Sequence, residues 1–247
     1  MFWAADMVFL GLVLPLLVGS TPVSQELFPT DCSDVYANGQ TLSGVYTIYP
    51  AGETPVQVYC DMGCLINDSQ DGRWTVFQRR MDGSVNFYRP WNFIITFITC
   101  VCPTPSGLEN LYQLTRKRKY ELRVDLQDFE GLTVNARYSF FSVKSETEGY
   151  KLHVTGFVNG GAGDSMYESN RQKFSTLDKD QDTHKELNCA RSFLGGFWYG
   201  ACHYANPNEI YLWGCDGTHY TIGNVWYHWK GYDYGLKNII MKIRPVA

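Results

Sequence analysis

Eight cysteines behind a short apolar N-terminal run constrain this 247-residue chain more than any other feature. The run Val8–Val18 is too short to span a bilayer comfortably and is broken by Pro15, and the small residues Gly19 and Ser20 follow it. That pattern predicts a secretory signal peptide over residues 1–20, although Met1–Met7 contains Asp6 and no Lys or Arg. A chain cleaved there enters an oxidising compartment, where thiols pair. Eight cysteines are too few for a small disulfide scaffold in a chain of this length, and by counting alone they allow about 105 full pairings. A hydrophobic content of 45% supplies a sizeable core, and 19% charged residues is an ordinary globular value, so wholesale disorder is excluded. A net charge of −4 gives no electrostatic reason to expect a nucleic-acid partner.

After a short segment at 21–29, residues 30–247 read as one globular unit without repeats, low-complexity blocks or linkers. Apolar–polar alternation predicts strands at Gly44–Tyr49, Pro55–Tyr59, Trp74–Gln78 and Tyr120–Asp125. The best helical candidate is Leu108–Lys119, and the apolar run Phe93–Cys102 suits a buried strand. From Phe157 onward the chain is dense in Gly, Asn and Asp, so the expected class is α+β with a loop-rich C-terminal third.

Four features carry chemistry. In Asp178-Lys179-Asp180-Gln181-Asp182, alternate carboxylates in a loop can turn toward one centre, and oxygen-only ligands suit Ca²⁺. It is no EF-hand, because Thr183 and Cys189 stand where that loop needs Gly and Glu, and a solvated acidic turn is the plainer alternative. Cys189 and Cys202, the latter followed by His203, suggest either a thiol nucleophile with its base or a short disulfide loop lining a pocket. Oxidising conditions favour the disulfide, and no CxxC or HxxxH partner supports zinc. Aromatic residues crowd the stretch from Phe193 to Tyr234, most of them for core packing, with two or three available to a pocket for apolar groups on polar ligands. The run Arg116–Lys119 is either a heparin-type contact or, with Glu121, Asp125 and Asp128 close behind, a solvated helix end. Asn67 heads the one glycosylation sequon.

These residues resemble the fibrinogen C-terminal (fibrinogen-related) domain family, with the microfibril-associated glycoproteins nearest and the ficolins and other acetyl-binding lectins as relatives. The resemblance rests on DCSDVYANG (31–39), GVYTIYP (44–50), VYCDM (58–62), GRWTVFQRR (72–80), YELRVDLQDFEG (120–131), GGAGDS (160–165), KFSTLDKDQD (173–182), NCA (188–190), FWYGACHYANPN (197–208) and MKIRP (241–245). It implies a twisted antiparallel sheet with short helices and a loop-rich calcium-binding subdomain, stapled by Cys32–Cys60 and Cys189–Cys202. It further implies a Ca²⁺ ion held by the side chains of Asp180 and Asp182 and the backbone carbonyls of His184 and Glu186. Beside that loop it implies an acetyl pocket of Phe193, Cys202, His203, Tyr220 and Thr221, with a cis bond at Ala201–Cys202 that aims backbone N–H groups at the acetyl oxygen. The implied function is that of a secreted, calcium-dependent, non-catalytic lectin-like protein binding acetylated glycans or matrix glycoproteins, in innate recognition or microfibril association. The alternatives are a structural matrix protein docking to elastic-fibre components without sugar binding and, from another class, a thiol hydrolase using Cys202 and His203. Any homo-oligomer would have to assemble through the domain itself, because no collagen-like repeat or heptad is present. Two stretches depart from the family pattern, Cys64–Gln70 and Asn92–Gly107, and no partner is implied for Cys64, Cys100, Cys102 or Cys215.

Overall fold

Alternation along Tyr120–Gln127 puts Tyr120, Leu122, Val124 and Leu126 on one face and Glu121, Arg123 and Asp125 on the other, so this strand must lie with one side dry. In the computed structural model, which describes residues 28–63, 72–96, 107–212 and 223–246, it is β4 of a seven-stranded antiparallel sheet. The other strands are β1 (Gly44–Ile48), β2 (Val56–Asp61), β3 (Trp74–Arg80), β5 (Thr133–Val143), β6 (Leu152–Gly160) and β9 (Asn238–Pro245), in the order β1-β2-β3-β9-β4-β5-β6. The last strand in the chain therefore fills the middle of the sheet, pairing Ile243 with both Thr75 and Leu122. Its Lys242 ammonium lies 2.7 Å from both Asp61 and Asp125, tying strands from both halves of the sheet together on its outer face.

Short helices accompany this sheet. Helix α1 (Cys32–Ala37) is capped by the buried Asp31, whose carboxylate accepts the Ser33 and Asp34 N–H groups and, at 2.6 Å, the Tyr120 hydroxyl. The disulfide Cys32–Cys60, with Cα atoms 5.4 Å apart, joins α1 to β2. Helix α3 (Leu108–Thr115) lays Leu108, Leu111 and Leu114 into the core, the i, i+3, i+6 spacing of one helical face. It ends four residues earlier than expected, because Tyr120 already pairs with Pro245 and the chain needs Arg116–Lys119 to turn. The expected strand at Phe93 is corrected to helix: α2 covers Trp91–Thr96. Pro90 presets its entry, its carbonyl accepting the Phe93 and Ile94 N–H groups, and burying Trp91 and Ile94 three positions apart requires a helical period. The rest of that run, and Cys64, Cys100, Cys102 and Cys215, lie outside the described residues.

Beyond β6 the chain becomes a loop-rich lobe held by a ribbon of β7 (Phe174–Ser175) and β8 (Phe197–Trp198), with α4 (Cys189–Ser192) and α5 (Tyr227–Lys230) as single turns. Its attachment is specific: the Trp198 indole donates to the Tyr150 carbonyl and the Trp226 indole to that of Ala162. From β3, the Gln78 amide donates to the Pro207 carbonyl at 3.1 Å, and Arg80 donates to the Glu209 carbonyl at 2.7 Å. None of the helices among the described residues is long and apolar enough to cross a membrane.

Candidate functional site

The acidic run divides its three carboxylates between two tasks. Asp178 accepts the Thr176 hydroxyl at 2.7 Å and the Trp91 N–H at 2.8 Å, so it tethers the loop to α2. Lys179 lies 3.7 Å over the Trp91 ring, and Gln181 is pinned by the Ser175 hydroxyl and the Phe174 carbonyl. Asp180 and Asp182 are left together on the other side. Asp182 is half-buried; one carboxylate oxygen accepts the His184 N–H at 2.9 Å and the other the Cys189 N–H at 2.8 Å. Asp180 accepts the Asp182 N–H. Burial raises the Asp182 carboxyl above its ordinary range, two backbone N–H groups pull it back, and the charge of Asp180 beside it pushes it up again. Neither carboxylate has a cationic partner among the described residues.

That arrangement fits a divalent cation. Two adjacent, uncompensated carboxylates repel one another, and each Asp182 oxygen keeps a lone pair beyond its N–H bond. The His184 and Glu186 carbonyls accept no hydrogen bond from a described residue, which leaves them available as neutral oxygen ligands. No third His, Cys, Asp or Glu side chain joins them among the described residues, so a complete shell would need backbone carbonyls and water.

The same hydrogen bonds position the second half of the site. Asn188 caps α4 by accepting the Arg191 N–H at 2.9 Å and donates to the Thr176 carbonyl. Cys189 then bonds to Cys202, with Cα atoms 5.3 Å apart, and the Thr183 N–H donates to the Gly200 carbonyl at 3.1 Å. The acidic loop and the disulfide loop thus share one hydrogen-bonded seam. The disulfide also removes the free thiol that the hydrolase alternative requires.

At Ala201–Cys202 the structure corrects the expectation of a cis bond: the peptide is trans. The chain turns instead through a φ of +90° at Cys202, where the Gly200 N–H donates to the Cys202 carbonyl at 3.0 Å. A non-glycine residue held there costs on the order of 1–3 kcal/mol, against about 3–4 kcal/mol for a non-proline cis bond. The disulfide and the seam to Thr183 constrain both ends of this turn. Neither the Cys202 nor the His203 N–H donates to a described residue.

His203 is 6% exposed, and neither ring nitrogen has a hydrogen-bond partner among the described residues. Burial lowers its pKa from 6.5 to about 4, so the imidazole is neutral at physiological pH. Phe193 packs edge-on against it with ring centroids 4.7 Å apart, while Tyr199 and Tyr232 lie at 5.7 and 6.1 Å. The Tyr232 hydroxyl donates to the His203 carbonyl at 2.8 Å. Beneath them the Asn206 amide bridges the Phe193 carbonyl at 3.1 Å and the buried Glu209 carboxylate at 2.9 Å. Burial pushes the Glu209 carboxyl well up and lowers Arg80 to about 10.

Of the residues expected in the pocket, Phe193, Cys202 and His203 come together, and Tyr220 and Thr221 lie outside the described residues, as does Asn67. Sequence reasoning named Tyr199 and Tyr232 only within the aromatic crowd and missed Asn206 and Glu209 altogether. The one hint for those two was the polar run Asn206-Pro207-Asn208-Glu209, set off from Cys202-His203 by two residues.

Comparison with known proteins bears on the family and the fold. The family described as fibrinogen beta and gamma chains, C-terminal globular domain, matches residues 28–246. Microfibril-associated glycoprotein 4 of Bos taurus is 45% identical over 258 residues, covering 94% of this chain and 98% of that protein. Ryncolin-4 of Cerberus rynchops is 41% identical over 89% of this chain and 63% of its own length. Among solved structures, the fibrinogen-like globe domain of human ANGPTL2 superposes with a TM-score of 0.81 at 37% identity, covering 88% of this chain and 99% of that one.

Proposed function

The chain belongs to the fibrinogen C-terminal domain family, and from that premise we propose that it is a secreted, calcium-dependent, lectin-like binding protein for acetylated carbohydrates, acting without catalysis. The observation that carries the reading is the unspent polarity around His203: a neutral buried imidazole and two backbone N–H groups, walled by the Phe193 ring. An acetyl group matches that surface, its methyl lying on the aromatic edge and its carbonyl accepting the N–H groups. Calcium, when bound, would neutralise Asp180 and Asp182 and hold the loop whose Asp182 and Thr183 set the position of Cys189 and Gly200. The disulfides suit an oxidising, extracellular location.

Retention of the protein on an acetylated resin tests this. Binding in calcium, release by EDTA and competition by free N-acetylglucosamine are expected, and Asp180→Ala should abolish retention. Retention that ignores both EDTA and the free sugar would defeat the sugar reading. It would favour docking to matrix glycoproteins through a protein surface, the reading that the name of the bovine relative suggests.

A further inference from the structure

The run Arg116–Lys119 has no part in the function proposed above. It leaves α3 where the Thr115 hydroxyl oxygen accepts the Val143 N–H at 3.1 Å and the hydroxyl donates to the Leu111 carbonyl at 2.9 Å, so it is clamped against the end of β5. All four of its residues are exposed. Together with Tyr112, Phe140, Ser142 and Lys144 they wall an open groove of about 480 Å³. Two of the cations are already committed: Arg118 to Asp34 and Asp31 at 2.8 and 3.3 Å, and Lys117 to the Pro50 carbonyl at 2.7 Å. Arg116, Lys119 and Lys144 have no carboxylate partner among the described residues.

More positive charge lies beside the groove. The Lys144 N–H donates to the Lys151 carbonyl, and the Arg171 N–H to that of the next residue, Leu152, which sets Lys151 beside Lys144 and Arg171 one chain segment further on. His153, opposite Ser142 across β5 and β6, registers the resulting field. Burial lowers its pKa first, then Lys144, Lys151 and Arg171 lower it further, against a smaller upward effect of Glu148. Glu148 also lines the groove, and it is the one carboxylate among the described residues that does.

We propose that this groove binds a sulfated polysaccharide, with Arg116, Lys119 and Lys144 as its charged contacts. The chain as a whole carries −4, so the patch is a local concentration of charge rather than general basicity. Its cations come from separate chain segments along an open channel, which suits a linear polyanion better than a single small anion. Phe140 and Tyr112 offer ring surface, and Ser142 a hydroxyl, to the sugar between sulfates. Sulfate esters are fully ionised at physiological pH, so recognition depends on salt rather than on pH. The proposal depends on the extracellular placement argued above and is independent of calcium and the acetyl pocket.

The test is affinity chromatography of the full secreted chain on heparin with EDTA present, with desulfated heparin and phosphatidylserine vesicles as comparators. The wild type should be retained on heparin in EDTA and eluted by salt, and should not bind desulfated heparin. Combined Arg116→Glu, Lys119→Glu and Lys144→Glu should lower affinity by more than about tenfold and reduce the slope of log affinity against log salt by about 2. A milder pair, Arg116→Gln with Lys144→Gln, should weaken retention in the same direction and guards against misfolding of the triple variant. Asp180→Ala should leave heparin retention unchanged, which separates failure here from failure of the lectin reading. Unchanged elution of both charge variants, loss of retention in Asp180→Ala, or preference for the vesicles over heparin would each overturn the proposal.

Discussion

Protonation of His203 should account for a large part of this protein's acid sensitivity. Its folded-state pKa is about 4, set by burial, against 6.5 in the unfolded chain. Between those values the unfolded state holds a proton that the folded state refuses, so stability rises with pH across that window and is lost on acidification from about 6.5 toward 4. A gap of about 2.5 pKa units corresponds to about 3 kcal/mol, a large share of a typical domain's stability. His203→Gln keeps a polar side chain but cannot titrate. Urea denaturation of both proteins, unreduced and in EDTA, should show a stability difference that shifts by about 3 kcal/mol in the variant's relative favour between pH 7 and pH 4. Glu209, whose raised pKa has the opposite linkage, is present in both proteins and cancels in that difference. Parallel pH profiles, or an imidazole NMR titration with its midpoint near 6.5, would refute the argument that burial holds the His203 imidazole neutral.

Two further perturbations probe the scaffold. Tyr120→Phe removes a buried hydroxyl that donates to Asp31 at 2.6 Å, and should cost about 1.5–3 kcal/mol in urea denaturation; a loss below about 0.5 kcal/mol would mean that the cap bonds of α1 and the Arg118 pair already satisfy Asp31. At Gly72, a Cβ would sit 2.0 Å from the Met62 carbonyl oxygen, a backbone atom that cannot rotate away. Gly72→Ala should therefore destabilise by at least about 2 kcal/mol and depress secretion, and a wild-type urea midpoint would show that the two chain segments separate freely there.

The strands at Gly44–Ile48, Val56–Asp61, Trp74–Arg80 and Tyr120–Gln127 were legible because a half-buried strand writes its two faces as a period of two. The loop-rich C-terminal third was legible for a similar reason: Gly, Asn and Asp are local turn formers, and their effect needs no distant partner. Phe93–Thr96 misled because a short apolar run carries no period of its own, and burial of Trp91 and Ile94 chose helix.

For the candidate site, the residue types were visible and the assembly was not. Asp178, Asp180 and Asp182 look equivalent in sequence, yet the Trp91 N–H, 87 positions away, takes Asp178 out of the group. His203 next to a cysteine reads as a catalytic base until the disulfide to Cys189 and the absence of ring-nitrogen partners among the described residues make it a buried, neutral imidazole. Asn206 and Glu209 were not singled out, because they matter only through Phe193 above and β3 below. By itself the sequence determined class, strand faces and the inventory of carboxylate, cysteine and ring groups, all properties of neighbours within a few residues. Tertiary structure alone decided which of those groups stand together, because the contacts that sort them join residues tens of positions apart, with β9 closing the middle of the sheet only when the whole chain is in place.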